Sequence, residues 1–183
     1  RGQLVAVVGE PGVGKSRLFY EFLRSHRTAG WRILEATSVS YGKTSPYLPL
    51  IDLLRSYFKL SDRDDTRDVR AKVTGVIITL DEGLKNVIPP LLWLLDALPG
   101  DHEFIKLDLG RRRAQTVEAV RLVLLRESRD QPVLLVFEDL HWIDAETQLL
   151  LDALVESLPT ASILLAVSIG IGVAFHRLAL QTL

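Results

Sequence analysis

The chain alternates between short apolar runs and amphipathic stretches, and this rhythm predicts its elements. Leu4 to Val8 form an apolar run stopped by Gly9, as expected of a short buried strand. From Lys15 to Ala29 the apolar residues Leu18, Phe19, Phe22 and Leu23 recur at helical spacing, with Gly30 placed as a stop. Trp31 to Thr37 alternates well enough for a second strand. Ser38 to Pro49, rich in Ser, Gly, Thr and Pro, reads as a loop. Leu50 to Leu60 then has the apolar spacing of an amphipathic helix.

The middle of the chain reads as helical throughout. SDRDDTRDVRAK, beginning at Ser61, mixes both charge signs and predicts the opening of an exposed helix. Lys72 to Leu80, Glu82 to Val87 and Pro90 to Leu98 continue as helices, with a break expected at Pro89 and Pro90. Arg111 to Arg129 makes a further helix with Val117, Val120 and Leu124 on one face. Leu134 to Phe137 is apolar without alternation, the pattern of a strand covered on both faces. Asp144 suits an N-cap, Glu146 suits the same helix end, and that helix runs to about Leu158. Ser162 to Val167 forms a fourth strand. Strands separated by helices predict an α/β fold with a mostly parallel sheet and right-handed crossovers. A helical insertion occupies about residues 48–110, and no internal repeat or low-complexity tract is present.

Composition narrows the class. With 183 residues, 48% hydrophobic and 25% charged, the chain can bury a sizeable core. Its 22 Lys and Arg against 23 Asp and Glu give no net field toward nucleic acid or an anionic membrane, so neither is an expected partner. The absence of Cys excludes disulfides, thiolate metal sites and a cysteine nucleophile, and suits a cytoplasmic location. The absence of Met, including at position 1, is the expected mark of a piece truncated at both ends, with a core at 1–168 and an atypical tail at 169–183. Ser157 to Phe175 carries no Asp, Glu, Lys or Arg and is long enough to raise a membrane span, but Pro159, Gly170 and Gly172 with several hydroxyl residues dilute it.

Two segments carry chemistry. Gly9 to Ser16 reads GEPGVGKS and matches G-x-x-x-x-G-K-[ST] at every fixed position. Gly12 and Gly14 let the backbone curl so that successive amides face one phosphate group. Lys15 can reach the β and γ phosphates, Ser16 can hold a magnesium ion, and the following helix adds its positive end. Gly9, Glu10, Pro11, Gly12, Val13, Gly14, Lys15, Ser16 and Arg17 are therefore the candidate nucleotide contacts. The predicted strand before the loop and helix after it supply the context that the motif needs.

The second segment is LLVFEDLHWID, residues 134–144, where a buried strand ends in two adjacent carboxylates. Enzymes with this loop hold magnesium through its Ser or Thr and through an acid ending a separate buried strand. Glu138 and Asp139 supply that second half. Side chains alternate along a strand, so the two should point in different directions, one toward metal and one toward an attacking water.

With both segments placed, the chain resembles the STAND and AAA-like P-loop ATPases, multidomain signalling ATPases of bacterial regulators, some attached to class III adenylate/guanylate cyclase domains. The resemblance rests on GEPGVGKSRL, SPYLPLIDLLR (Ser45 to Arg55), LLRESRDQPVLLVFEDLHWIDAETQLLLDALVESLP (Leu124 to Pro159) and the strand ILLAV, and it covers most of residues 2–168. It implies a three-layer P-loop NTPase fold in which the P-loop strand lies beside the fourth strand and that strand beside the acidic one. It also implies Mg-ATP as ligand, Lys15, Glu138 and Asp139 as catalytic residues, Ser16 and Glu138 on the metal side, and Asp139 on the water side. Other domains of a parent chain, among them a nucleotide cyclase domain and helical repeats, are the implied partners.

Departures from the family pattern bear on turnover. The acids come as Glu then Asp rather than in the commoner order, and the shorter Asp139 is expected to act through a bridging water, which implies slow hydrolysis. Relatives carry an Arg soon after the fourth strand, whereas the next basic side chains here are His176 and Arg177. His141 and Trp142 belong to the family box, either as phosphate sensor and neighbour or as packing residues. Three readings follow: a slow ATPase switch, a nucleotide-binding module without turnover, and a phosphotransferase with Arg111, Arg112 and Arg113 as a lid. Those arginines open a helix, where positive charge opposes the dipole, so they either meet a phosphate or acidic partner or form a solvated helix start, the reading favoured by their exposure. ATP and GTP are not distinguished.

Overall fold

The computed structural model describes residues 1–37, 46–140 and 143–170. Along the chain it contains β1 (Gln3–Gly9), α1 (Lys15–Leu23), β2 (Arg32–Thr37), α2 (Leu48–Tyr57), α3 (Thr66–Leu80), α4 (Ile88–Leu94), α5 (Leu109–Asp130), β3 (Val133–Glu138), α6 (Ala145–Ser157) and β4 (Ile163–Gly170). The strands form one sheet in the order β1-β4-β3-β2, and every pairing is parallel. The loop-bearing β1 thus lies beside β4, and β4 beside the acid-bearing β3, as the family resemblance implies. Among the described residues β1 forms one edge of the sheet, and its Val5 and Val8 are exposed.

Pleating sorts the strand side chains into two cores. Val133, Leu135 and Phe137 of β3 join Ile163, Leu165 and Val167 of β4 in the larger cluster, together with α2 to α6. Leu134 and Val136 of β3 and Ala166 of β4 face the opposite way and meet Phe19 of α1. Glu138 continues the α1 side of that alternation. The uninterrupted apolar run in β3 follows from this arrangement, since its first five residues are buried whichever way they point.

Several boundaries differ from the sequence-based expectation, each with a local cause. α1 ends at Leu23 rather than Ala29, because the Thr28 hydroxyl donates to the carbonyls of Leu23 (3.0 Å) and Ser25 (2.9 Å) and draws the chain into a tight turn. α2 begins at Leu48, inside the predicted loop, with Pro49 in its first turn. Pro89 and Pro90 start α4 rather than break it, since first-turn residues need no N–H. α4 stops at Leu94, not Leu98. There Asp96 turns left-handed (φ 54°), its N–H bonds the Trp93 carbonyl, and the Ala97 N–H bonds that of Leu92, closing a Schellman motif. β4 runs three residues beyond its predicted end, to Gly170.

The charged stretch after Ser61 does open an exposed helix. Asp65 accepts the Asp68 N–H at 2.8 Å while Asp68 accepts that of Asp65 at 3.3 Å, a reciprocal cap for α3. Of the arginines at the start of α5, Arg111 is solvated as expected, its side chain 76% exposed, whereas Arg112 and Arg113 are engaged by other parts of the chain. Arg111 pairs with Asp108, and Arg113 pairs with Glu146 of α6. Arg112 donates to the carbonyls of Ile105 and Leu107 and lies 5.5 Å from the Trp93 ring centre.

At the amino-terminal edge of the sheet, Glu127 of α5 is buried and accepts from three groups. These are Arg32 Nε (3.1 Å), Tyr57 Oη (2.8 Å) and Gln131 Nε2. This fixes the ends of α2 and α5 to the start of β2, on the side of the sheet away from the phosphate loop. Burial, and then the hydrogen bond to Glu127, push the Tyr57 phenol well above its ordinary value.

Candidate functional site

The loop from Gly9 to Ser16 joins β1 to α1 at the carboxyl edge of the sheet. Gly12 (φ 83°) and Gly14 (φ 95°) both take left-handed backbone that a side chain would oppose. Open space surrounds both positions, so it is conformation rather than crowding that requires glycine. Gly14 is the N-cap of α1 and offers no side-chain cap, and the first turn holds no acid. The first amides of α1 therefore remain available to an external acceptor.

Lys15 folds back over this loop, its ammonium donating to the carbonyls of Gly9 and Glu10 at 3.0 Å each. A cavity of about 400 Å³ opens in front of it. Pro11, Gly12, Gly14, Lys15, Ser16 and Arg17 line one side, and Asp139 and Gly170, from beyond β3 and at the end of β4, line the other. Gly9 is buried at the end of β1, while Val13 stands outward with 61% of its surface exposed. Arg17 also pairs with Glu21 one turn along α1, at 2.5 Å.

The Ser16 hydroxyl donates to Glu138 Oε2, which joins the loop to the acidic strand. The contact follows from the pleat: Glu138 lies on the α1 side of β3, two strands from β1. The strand ends at Glu138, and Asp139, the next residue, turns left-handed at φ 55° and lines the cavity. Its N–H is taken by the Ser168 hydroxyl of β4 at 2.9 Å.

Ser168 and Gly170, both of β4, are contributors here that sequence reasoning passed over, and Ser168 could have been found. The available signal was a lone hydroxyl inside an otherwise apolar strand, ILLAVSIG. Asp144 is more than the cap that was expected of it. Buried at 5% exposure, it accepts the N–H groups of Tyr47 (3.0 Å), Glu146 (3.1 Å) and Thr147 (3.0 Å) and the Thr147 hydroxyl (2.6 Å). It thereby ties the start of α2 to the turn after β3. His141 and Trp142 lie outside the described residues, as do His176 and Arg177.

The donor set fits a phosphate chain with a hard cation. One hydroxyl and one carboxylate meet at the mouth of an amide-rich loop, and magnesium takes such oxygens alongside phosphate oxygens and water. Among the described residues no three carboxylate or imidazole side chains gather into an independent metal site. No described helix is long and apolar enough to cross a membrane.

No curated protein and no solved structure matches the chain. The family model described as AAA ATPase domain matches residues 1–167, which takes in the loop, the helical layer, the acidic strand and most of β4. On that match the chain belongs to the AAA ATPase domain family.

Proposed function

We propose that this domain binds Mg-ATP and hydrolyses it slowly, as a regulatory switch within a larger cytoplasmic signalling protein. The observation that carries the reading is the Ser16 to Glu138 hydrogen bond, formed where the Lys15 ammonium and the uncapped start of α1 face the same cavity. Lys15 exchanges the carbonyls of Gly9 and Glu10 for phosphate oxygens. The amides of the loop and of the first turn of α1 hold the remaining phosphate charge. Ser16 and Glu138 are the residues that would hold magnesium, and the bound cation would supply positive charge to the phosphate oxygens. Asp139, on the far wall of the cavity, orients the attacking water and takes its proton. The helical layer between β2 and β3 contacts the turn after β3 through Tyr47 and Asp144, a route by which nucleotide state reaches other domains of a parent chain, such as a cyclase domain or helical repeats.

Nucleotide binding without turnover is the second reading. It is supported by the short Asp139 side chain and by the sequence after β4, which reaches no basic residue before His176. A phosphotransferase lid built from Arg111, Arg112 and Arg113 has little support, since all three have intramolecular partners.

Two variants test the choice. Lys15→Ala is expected to lower ATP affinity at least about a hundredfold, from lost hydrogen bonds to charged oxygens, and parental affinity would refute nucleotide binding at this loop. Asp139→Asn is expected to abolish single-turnover hydrolysis while leaving binding intact. An unchanged rate would remove Asp139 from the chemistry.

A further inference from the structure

The ladder between β3 and β4 ends at Phe137 paired with Val167, whereas β4 continues beside β1 as far as Gly9 paired with Gly170. Beyond Phe137, then, the β3 main chain leaves its neighbour just before the acids that matter. Ser168 is the next residue of β4, 1% exposed, and its side chain falls on the α1 side of the sheet with that of Ala166. Its hydroxyl accepts the Asp139 N–H at 2.9 Å, in place of a ladder carbonyl.

We infer that Ser168 is a positioning residue that holds Asp139 in its left-handed turn and so keeps the Asp139 carboxylate at the cavity. The inference rests on the reading of Asp139 as the group that orients water. At φ 55° a non-glycine residue occupies sparsely populated backbone, and such a conformation persists only where the surroundings over-determine it. Were Asp139 to relax into extended backbone, the pleat would carry its side chain to the face shared by Val133, Leu135 and Phe137, away from Lys15 and Ser16. Among the described residues, the hydrogen bond that the Asp139 N–H donates to this buried hydroxyl stands against that relaxation. It also couples the acid to β4, the strand that separates it from the phosphate loop.

The test compares the full chain with Ser168→Ala, Ser168→Thr and Ser168→Val. Thr keeps the hydroxyl, and Val matches its shape without the oxygen. Three quantities are read: Mg-ATP affinity, single-turnover hydrolysis, and hydrogen exchange at the Asp139 amide. Ser168→Ala and Ser168→Val should bind Mg-ATP within about twofold of the parent, hydrolyse it about tenfold more slowly, as is typical when a supporting partner is lost, and exchange the Asp139 amide faster. Ser168→Thr should recover rate and protection. Equal rates and equal exchange in the Thr and Val variants would overturn the inference while leaving the ATPase reading standing. A parent that binds Mg-ATP and never turns it over would overturn the function of Asp139, and this inference with it.

Discussion

Ser16 and Glu138 stand 122 positions apart in the chain, and the hydroxyl of the first donates to the carboxylate of the second. The contact links a residue that follows an edge strand to one that ends a buried strand, across the width of β4. Both side chains sit at the carboxyl edge of the sheet, outside the two cores. If their meeting point is the cation site, Glu138→Gln should leave ATP binding without magnesium unchanged. The gain in affinity on adding magnesium should fall about tenfold or more. Nucleotide titrations with and without the cation decide this, and an unaltered magnesium gain would place the metal elsewhere.

Asp144 gives a stability prediction. Asp144→Ala leaves the Tyr47, Glu146 and Thr147 amides without their acceptor in a buried setting, and should cost about 3 kcal/mol in urea unfolding. Asp65→Ala, which removes an exposed cap of α3, should cost only about 1 kcal/mol. A smaller loss for Asp144→Ala than for Asp65→Ala would mean that the turn after β3 finds other partners.

The Glu127 cluster predicts a dependence on alkaline pH. The Tyr57 phenol is raised above its ordinary value of 10.0 in the folded chain, so the unfolded chain ionises first as pH rises. The stability linked to Tyr57 is full below pH 10 and declines above it. Unfolding free energy should therefore fall more steeply beyond that point in the parent than in Tyr57→Phe. Glu127→Ala should cost about 3 kcal/mol at neutral pH, because it strips a buried partner from Arg32 and Tyr57 together.

What could be read from the sequence was local. GEPGVGKS specifies its own backbone through Gly12 and Gly14, and the unbroken apolar run before Glu138 specifies a strand covered on both faces. With strands alternating with helices, these were enough for the parallel sheet and for the pairing of loop with acid. What could not be read depends on partners far along the chain or on a single dihedral angle. Glu127 looks like one more charge on a helix until Arg32, 95 positions away, is brought against it. Arg113 reads as a solvated helix start because Glu146 belongs to a different helix. The left-handed turn of Asp139 was hidden for a similar reason: periodicity assumes extended backbone, and the strand ends at Glu138.

The position of β4 has one more implication. Adjacent strands lie about 4.8 Å apart, so one intervening strand sets the roots of the phosphate loop and of the acids about 10 Å from each other. β4 is in this sense a gauge block for the cleft, fixing by its own width how much phosphate and hydrated cation can stand between the two walls. Bulkier side chains on its neighbours can deform the walls, but only a change in sheet order could alter the gap itself.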